Sequence, residues 1–160
     1  MEPLAMIFSY VVAATFIIHG LAHASGFTTA WTSKNASFKD EPWLFSKGTT
    51  LRSRTGRAFG LVWLLAAVLL LASGIGLLLR GLWWPTLALI GSVVALVAIV
   101  PWWRAVVLGA KVGAAFDLFT IAVLISPTRM DYWLPWPDPS ARTRHLNVAA
   151  VASSGAPCPT

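Results

Sequence analysis

Charged positions are so sparse along this chain that their gaps outline its architecture. Pro3 to Ser33 contains no Asp, Glu, Lys or Arg, and the same holds from Ala58 to Leu79 and from Gly81 to Trp103. A fourth apolar stretch, Ala105 to Pro127, is interrupted only by Lys111 and Asp117. Each gap is at least as long as the roughly 20 residues a helix needs to cross about 30 Å of hydrocarbon. Backbone in lipid has to satisfy its own N–H and C=O groups, which a helix does. The pattern predicts four transmembrane helices over about 4–27, 59–80, 84–101 and 104–126. The fold class is all-α, a polytopic integral membrane four-helix bundle with up-and-down topology. Its transmembrane domain covers 1–129, and an extramembrane tail covers 130–160. A buried helical core of a soluble protein would need a polar outer layer, which these segments lack.

The borders of the stretches carry matching chemistry. Arg80, Gly81, Trp83, Trp84 and Pro85 form a tight connection, and Pro85 suits the first turn of a helix, where its missing N–H is not needed. Pro101 stands at the end of the third stretch, before Trp102, Trp103 and Arg104. Tryptophans beside arginine at both ends of one apolar stretch read as interfacial anchors: Trp83, Trp84, Trp102 and Trp103, with Trp133 and Trp136 in the tail.

Composition sharpens this picture. The chain has 160 residues, of which 57% are hydrophobic and 11% charged, whereas charged residues are about a quarter of a soluble domain. That excludes an ordinary soluble globule and a disordered chain. Net charge is +6 and the pI is about 10.3, yet nucleic acid is not the implied partner. Half of the twelve Lys and Arg sit between the first two spans: Lys34, Lys39, Lys47, Arg52, Arg54 and Arg57. The positive-inside rule therefore places this basic loop, 32–57, in the cytoplasm and both termini outside, in a bacterial-type cytoplasmic (inner) membrane. Ala22-His23-Ala24 has the spacing of a signal-peptidase site, but Glu2 without Lys or Arg before a long apolar run reads as a retained span. The single cysteine, Cys158, offers neither an internal disulfide nor a Cys-based metal site.

Within the loop, Phe38, Trp43, Leu44, Phe45 and Leu51 are apolar, so it lies along the headgroups, packs against a partner, or is a surface loop pinned by one or two aromatics. The tail opens on Met130-Asp131-Tyr132-Trp133-Leu134-Pro135-Trp136-Pro137, whose prolines exclude a helix interior.

Ionisable groups inside a membrane are costly, and each is a functional candidate. Thr15, His19 and His23 repeat at i, i+4 and i+8, one stripe that drifts by about 40° per step. Two imidazoles one turn apart can ligate a metal, bind a cofactor or share a proton path. Gly20 and Ala24 beside them allow another helix to approach closely. In span four, Gly109 and Gly113 form a small-xxx-small packing face, and Asp117 continues it at i+4. Lys111, six residues earlier, lies about 9 Å along the axis and about 120° around it, close enough to the cytoplasmic end to snorkel. An imidazole of span one is the expected partner for Asp117, either as a polar clasp fixing helix register or as a ligand site.

Several chemistries are set aside. His19 and His23 share one face of one helix and cannot both serve one haem, although a single-histidine haem remains open. A di-metal centre needs more ligands than the chain holds. A zinc hydrolase on His19, His23 and Asp117 lacks a second carboxylate as base. The metal question stays open. There is no phosphate-binding glycine loop, and Gly74 and Gly76 read as packing.

The element His19-Gly20-Leu21-Ala22-His23-Ala24-Ser25-Gly26-Phe27, followed by Gly60-Leu61-Val62-Trp63-Leu64-Leu65-Ala66-Ala67 in span two, resembles a group of small four-span bacterial membrane proteins. Those carry an H-G-x-x-H-x-x-G-F element and a basic first loop. The resemblance covers the first three spans and implies membrane location, not a catalytic residue. A fainter likeness is to DoxX-type proteins, linked to quinone-dependent redox complexes; the arginine typical of their first span is absent here.

The leading expectation is a non-catalytic accessory or assembly subunit that docks with other membrane protein subunits, with respiratory or photosynthetic electron transfer as the host class. The alternative is a quinone- or haem-linked redox protein built on His19, His23 and Asp117. A third reading is a small transporter or proton conduit.

Overall fold

The computed structural model describes residues 3–32, 49–104, 106 and 108–126. They form four helices: α1 (Pro3–Trp31), α2 (Arg54–Leu78), α3 (Trp84–Ile99) and α4 (Leu108–Ile125), with a short 3-10 turn, Val100–Trp102, after α3. All four belong to one unit, Met1–Met130. Each apolar segment is long enough to cross a membrane, the third when the 3-10 turn is counted with α3.

Boundaries differ from the sequence expectation in two places, each for a local reason. α2 begins at Arg54 because Ser53 caps it: its hydroxyl accepts from the Gly56 N–H at 3.2 Å and donates to the Thr50 carbonyl at 2.7 Å. Arg54 and Arg57 therefore belong to the first turn of a helix, not to a loop. α4 begins at Leu108 and not near 104, because the chain around Pro101 enters the 3-10 turn, closed by Trp103 N–H to Val100 O, and a separate turn follows with Val106 N–H on Trp102 O. Pro85 sits in the first turn of α3, as its chemistry requires.

Small residues set how closely α1 and α2 pack. Gly20 of α1 lies against Ala67 and Leu71, Gly26 against Trp63, and Gly74 of α2 against Ala13 and Ile17. The pairing of low numbers with high ones makes the two helices antiparallel. α3 buries Ala88, Gly91, Ser92, Ala95 and Ala98, a face of small side chains on which α2 and α4 pack. Serine helps to lock it: Ser73 Oγ donates to the Trp84 carbonyl at 3.0 Å. Large apolar residues point the other way. Ile18, Leu21, Val68, Val97, Val112 and Phe119 are each more than half exposed. Small residues inside and large apolar ones outside are the arrangement lipid favours, because tails solvate Leu and Phe while backbones gain by close approach. The chain is an integral membrane four-helix bundle.

One cluster of the interior gathers at one end. Leu51, Trp63, Ala98, Ile99, Trp102, Val106 and Ala114 form a single cluster. Leu51 is thus pinned into the bundle; Phe38, Trp43, Leu44 and Phe45 lie outside the described residues. At the same end, Trp31 Nε1 donates to the Arg57 carbonyl at 3.0 Å, and the Arg57 guanidinium stands 6.0 Å from the Trp31 ring centre.

The tryptophan anchors need correction. Trp83 and Trp103 are exposed, but Trp84 and Trp102 are buried, at 3% and 0%. Successive residues on a helical turn point about 100° apart, so one member of each pair faces lipid and its neighbour faces the core. Trp84 packs on Phe16 and Trp102 on Phe59. Trp133 and Trp136 lie outside the described residues.

Candidate functional site

The site forms where α1 and α4 face one another. α1 buries Ala13, Phe16, Gly20, His23, Gly26 and Thr29, a stripe that carries His23 inward and leaves His19 at its margin. α4 buries Gly113, Ala114, Asp117 and Thr120, spaced at i, i+1, i+4 and i+7, so Asp117 faces the bundle. Its carboxylate is fully buried: Asp117 is 0% exposed.

His19 Nε2 and Asp117 Oδ1 lie 3.0 Å apart, within hydrogen-bond distance. The Nε2 atoms of His19 and His23 lie 3.3 Å apart, their rings nearly perpendicular with centres 4.7 Å apart. His23 Nε2 stands 3.9 Å from Asp117 Oδ2, and that oxygen has no hydrogen-bond partner among the described residues. Ser92 of α3 lies beside the carboxylate, although its buried hydroxyl makes no hydrogen bond of good geometry among the described residues. Phe116 supplies an apolar wall, its ring 5.2 Å from His19 and 5.5 Å from Phe16. Three polar side chains from two helices thus converge in an environment where each alone would cost several kcal/mol.

A partly open cavity of about 210 Å³ adjoins them. His19, His23 and Ser25 are its polar lining; Gly26, Trp63, Ile99, Gly109 and Gly113 supply much of the rest. Glycine makes this space. A Cβ on Gly113 would press into the His19 ring, and one on Gly26 would press into Trp63.

The remaining candidates fall elsewhere. Thr15 is not drawn into the cluster: its hydroxyl donates to the Val11 carbonyl of its own helix at 2.9 Å, and the drift of an i, i+4, i+8 stripe turns it away. Lys111 lies with its Nζ 5.5 Å from the Trp103 ring centre, a lysine reaching along its helix toward the exposed aromatic rim. Gly20 packs against α2. Among the described residues nothing lies within 4 Å of where a Gly109 Cβ would be, so this glycine borders the cavity and not a packed helix. Gly113 accommodates an imidazole, not a backbone, and Ala24 is half-buried. Cys158 and His145 lie outside the described residues.

Sequence reasoning missed Trp63, Ser92 and Phe116. For Ser92 a signal existed: the run Ala88-x-x-Gly91-Ser92-x-x-Ala95-x-x-Ala98 places one hydroxyl in a small-residue face. Trp63 and Phe116 sit in runs of apolar residues that nothing local singles out.

No family model, curated protein or solved structure matches the chain, so the reading of the site rests on its geometry.

Proposed function

We propose that this membrane protein holds a small lipophilic ligand with polar oxygens against His19 and His23, a quinone headgroup being the class that fits, as a subunit of a membrane electron-transfer complex. The observation that carries the reading is the cavity: apolar and small-residue walls, the aromatic Trp63, and the two imidazoles with Ser25 as its polar lining. A quinone is flat, apolar across its faces and polar only at its oxygens. Its oxidised form accepts hydrogen bonds and its reduced form donates them, and imidazoles beside a carboxylate can serve both states. Electron exchange calls for a redox-active neighbour, which is where the other membrane subunits expected from the sequence enter. The exposed apolar faces of the helices do not themselves call for such a neighbour, since lipid covers them. The likeness of the His19–Phe27 element to small four-span bacterial proteins supports membrane location and no more.

The basic segment between α1 and α2 supports a cytoplasmic position for that end of the bundle, with both termini on the other side of a bacterial-type inner membrane. His19 and His23 then lie in the cytoplasmic third of the bilayer. Thiol-labelling of single cysteines placed at Lys39 and at Arg80 tests this: only the first should be shielded in intact cells.

The ligand reading is tested by titrating purified protein in detergent with a short-chain benzoquinone and following tryptophan fluorescence. Saturable binding of one quinone per chain is expected. Either His23→Ala or the cavity-filling Gly109→Leu should weaken it by about tenfold, the worth of one hydrogen bond or of lost space. Quenching that rises linearly and ignores both substitutions would overturn the reading.

A further inference from the structure

His19, His23 and Asp117 present their ligating atoms within 4.8 Å of one another. Hydrogen bonds alone satisfy this convergence poorly. A neutral imidazole carries one N–H. If His19 carries it on Nε2, that proton is spent on Asp117 Oδ1, and a protonated pyrrole-type nitrogen cannot accept from His23. His23 Nε2, 3.3 Å from His19 Nε2, then meets at best a share of the proton already directed at Asp117. If His19 carries the proton on Nδ1 instead, the 3.0 Å contact with an ionised carboxylate pairs two acceptors. In either tautomer Asp117 Oδ2 stays unpartnered among the described residues although Asp117 is fully buried. A single cation between the three side chains resolves every mismatch together.

The spacing agrees with that resolution. For ligand bonds of about 2.0–2.1 Å, tetrahedral neighbours stand about 3.3 Å apart and octahedral ones about 2.9 Å. The two imidazole nitrogens are 3.3 Å apart, and the His19–Asp117 contact is 3.0 Å. His23 is 3.9 Å from Oδ2, so a small rotation of the carboxylate closes the third edge. The histidines stand at i and i+4 of one helix, the spacing at which two imidazoles reach one ion.

We infer that His19 Nε2, His23 Nε2 and the Asp117 carboxylate form a binding site for one divalent first-row transition ion, zinc or iron(II) in class. Two nitrogens and one carboxylate select such an ion over magnesium or calcium, which take oxygen ligands. Three protein ligands leave a coordination position open. The cavity is lined by both histidines and not by Asp117, so the open position faces the cavity. A ligand oxygen there meets the ion in place of an imidazole N–H. The inference rests on the cluster and not on the identity of whatever fills the cavity.

The test uses the full chain in detergent, purified without a polyhistidine tag and stripped with a chelator. Reloading with Co²⁺ is followed by visible ligand-field absorption and elemental analysis. One Co²⁺ per chain is expected, displaced by Zn²⁺ and unaffected by excess Mg²⁺. His23→Ala and Asp117→Asn should each lower Co²⁺ affinity by at least tenfold, while His145→Ala leaves it unchanged. Sub-stoichiometric cobalt without a ligand-field band, competition by Mg²⁺, or unchanged affinity in both cluster variants overturns the site. Should the variants fail to fold by circular dichroism, X-ray absorption of the Zn²⁺-loaded wild type decides: two imidazoles are expected, and one or none overturns it. Quinone binding is measured separately on stripped protein, so metal loading without a quinone response removes only the reading of the cavity.

Discussion

A Cβ on Gly113 would lie 2.7 Å from Cε1 of His19: the side chain that α4 lacks is the space that the imidazole of α1 occupies. Gly113→Ala must therefore displace the ring, and with it the 3.0 Å contact to Asp117 one turn further on. The expected result is a loss of about 1–3 kcal/mol in stability, as for other overpacked interiors, with helical content retained. Unfolding in mixed micelles, monitored by circular dichroism, checks it. Stability equal to wild type would mean that the ring has a second place to go.

The pairing of His19 with Asp117 makes a different kind of prediction. Replacing His19 by Leu leaves a carboxylate buried without its donor, a loss of about 3 kcal/mol. Replacing both residues by Leu removes the stranded group as well, so the double variant should recover most of that loss. A double-mutant cycle should give a coupling energy of at least about 1 kcal/mol. Additive effects would show that the two side chains do not depend on one another.

Much of this bundle can be read from the sequence, because lipid imposes length and apolarity on every span and four such spans leave few ways to pack. The convergence of His19, His23 and Asp117 is also legible, since i+4 spacing puts each on an inward stripe. What escaped is whatever depends on the partner opposite. Gly109 and Gly26 look alike in sequence, yet a Cβ on Gly26 would press into the Trp63 ring, while among the described residues nothing lies within 4 Å at Gly109. Gly26→Ala should therefore cost about 1–3 kcal/mol, and Gly109→Ala should stay within about 0.5 kcal/mol of wild type. Equal losses in parallel micelle titrations would contradict this difference.

Arg80 ends α2 with φ at +55°. The Gly81 N–H reaches the Gly76 carbonyl at 2.8 Å and the Arg80 N–H reaches that of Leu77 at 3.1 Å, the paired bonds of a Schellman cap with Arg where glycine is usual. A side chain in the left-handed region costs about 1–2 kcal/mol, partly offset by the greater freedom glycine loses on folding. Arg80→Gly should stabilise the protein by up to about 1 kcal/mol and Arg80→Ala should not, because alanine keeps the Cβ. If both raise the unfolding midpoint equally, the gain comes from removing charge and not from relieving the backbone.

Trp102 and Trp103 are neighbours in sequence and opposites in environment, 0% and 36% exposed. Trp102 fills the cluster of Trp63, Ile99 and Ala114, so Trp102→Ala should cost about 3–5 kcal/mol, as for other large side chains deleted from a core. Trp103 lies on the rim, where its ring meets the Lys111 ammonium, and Trp103→Ala forfeits only a contact of about 0.5–1 kcal/mol. The same contrast holds for Trp84 and Trp83 at the start of α3. In sequence all four resemble a belt at the membrane surface. Comparable destabilisation by Trp102→Ala and Trp103→Ala would restore that reading and remove the inward orientation of Trp102 on which the packing of this end depends.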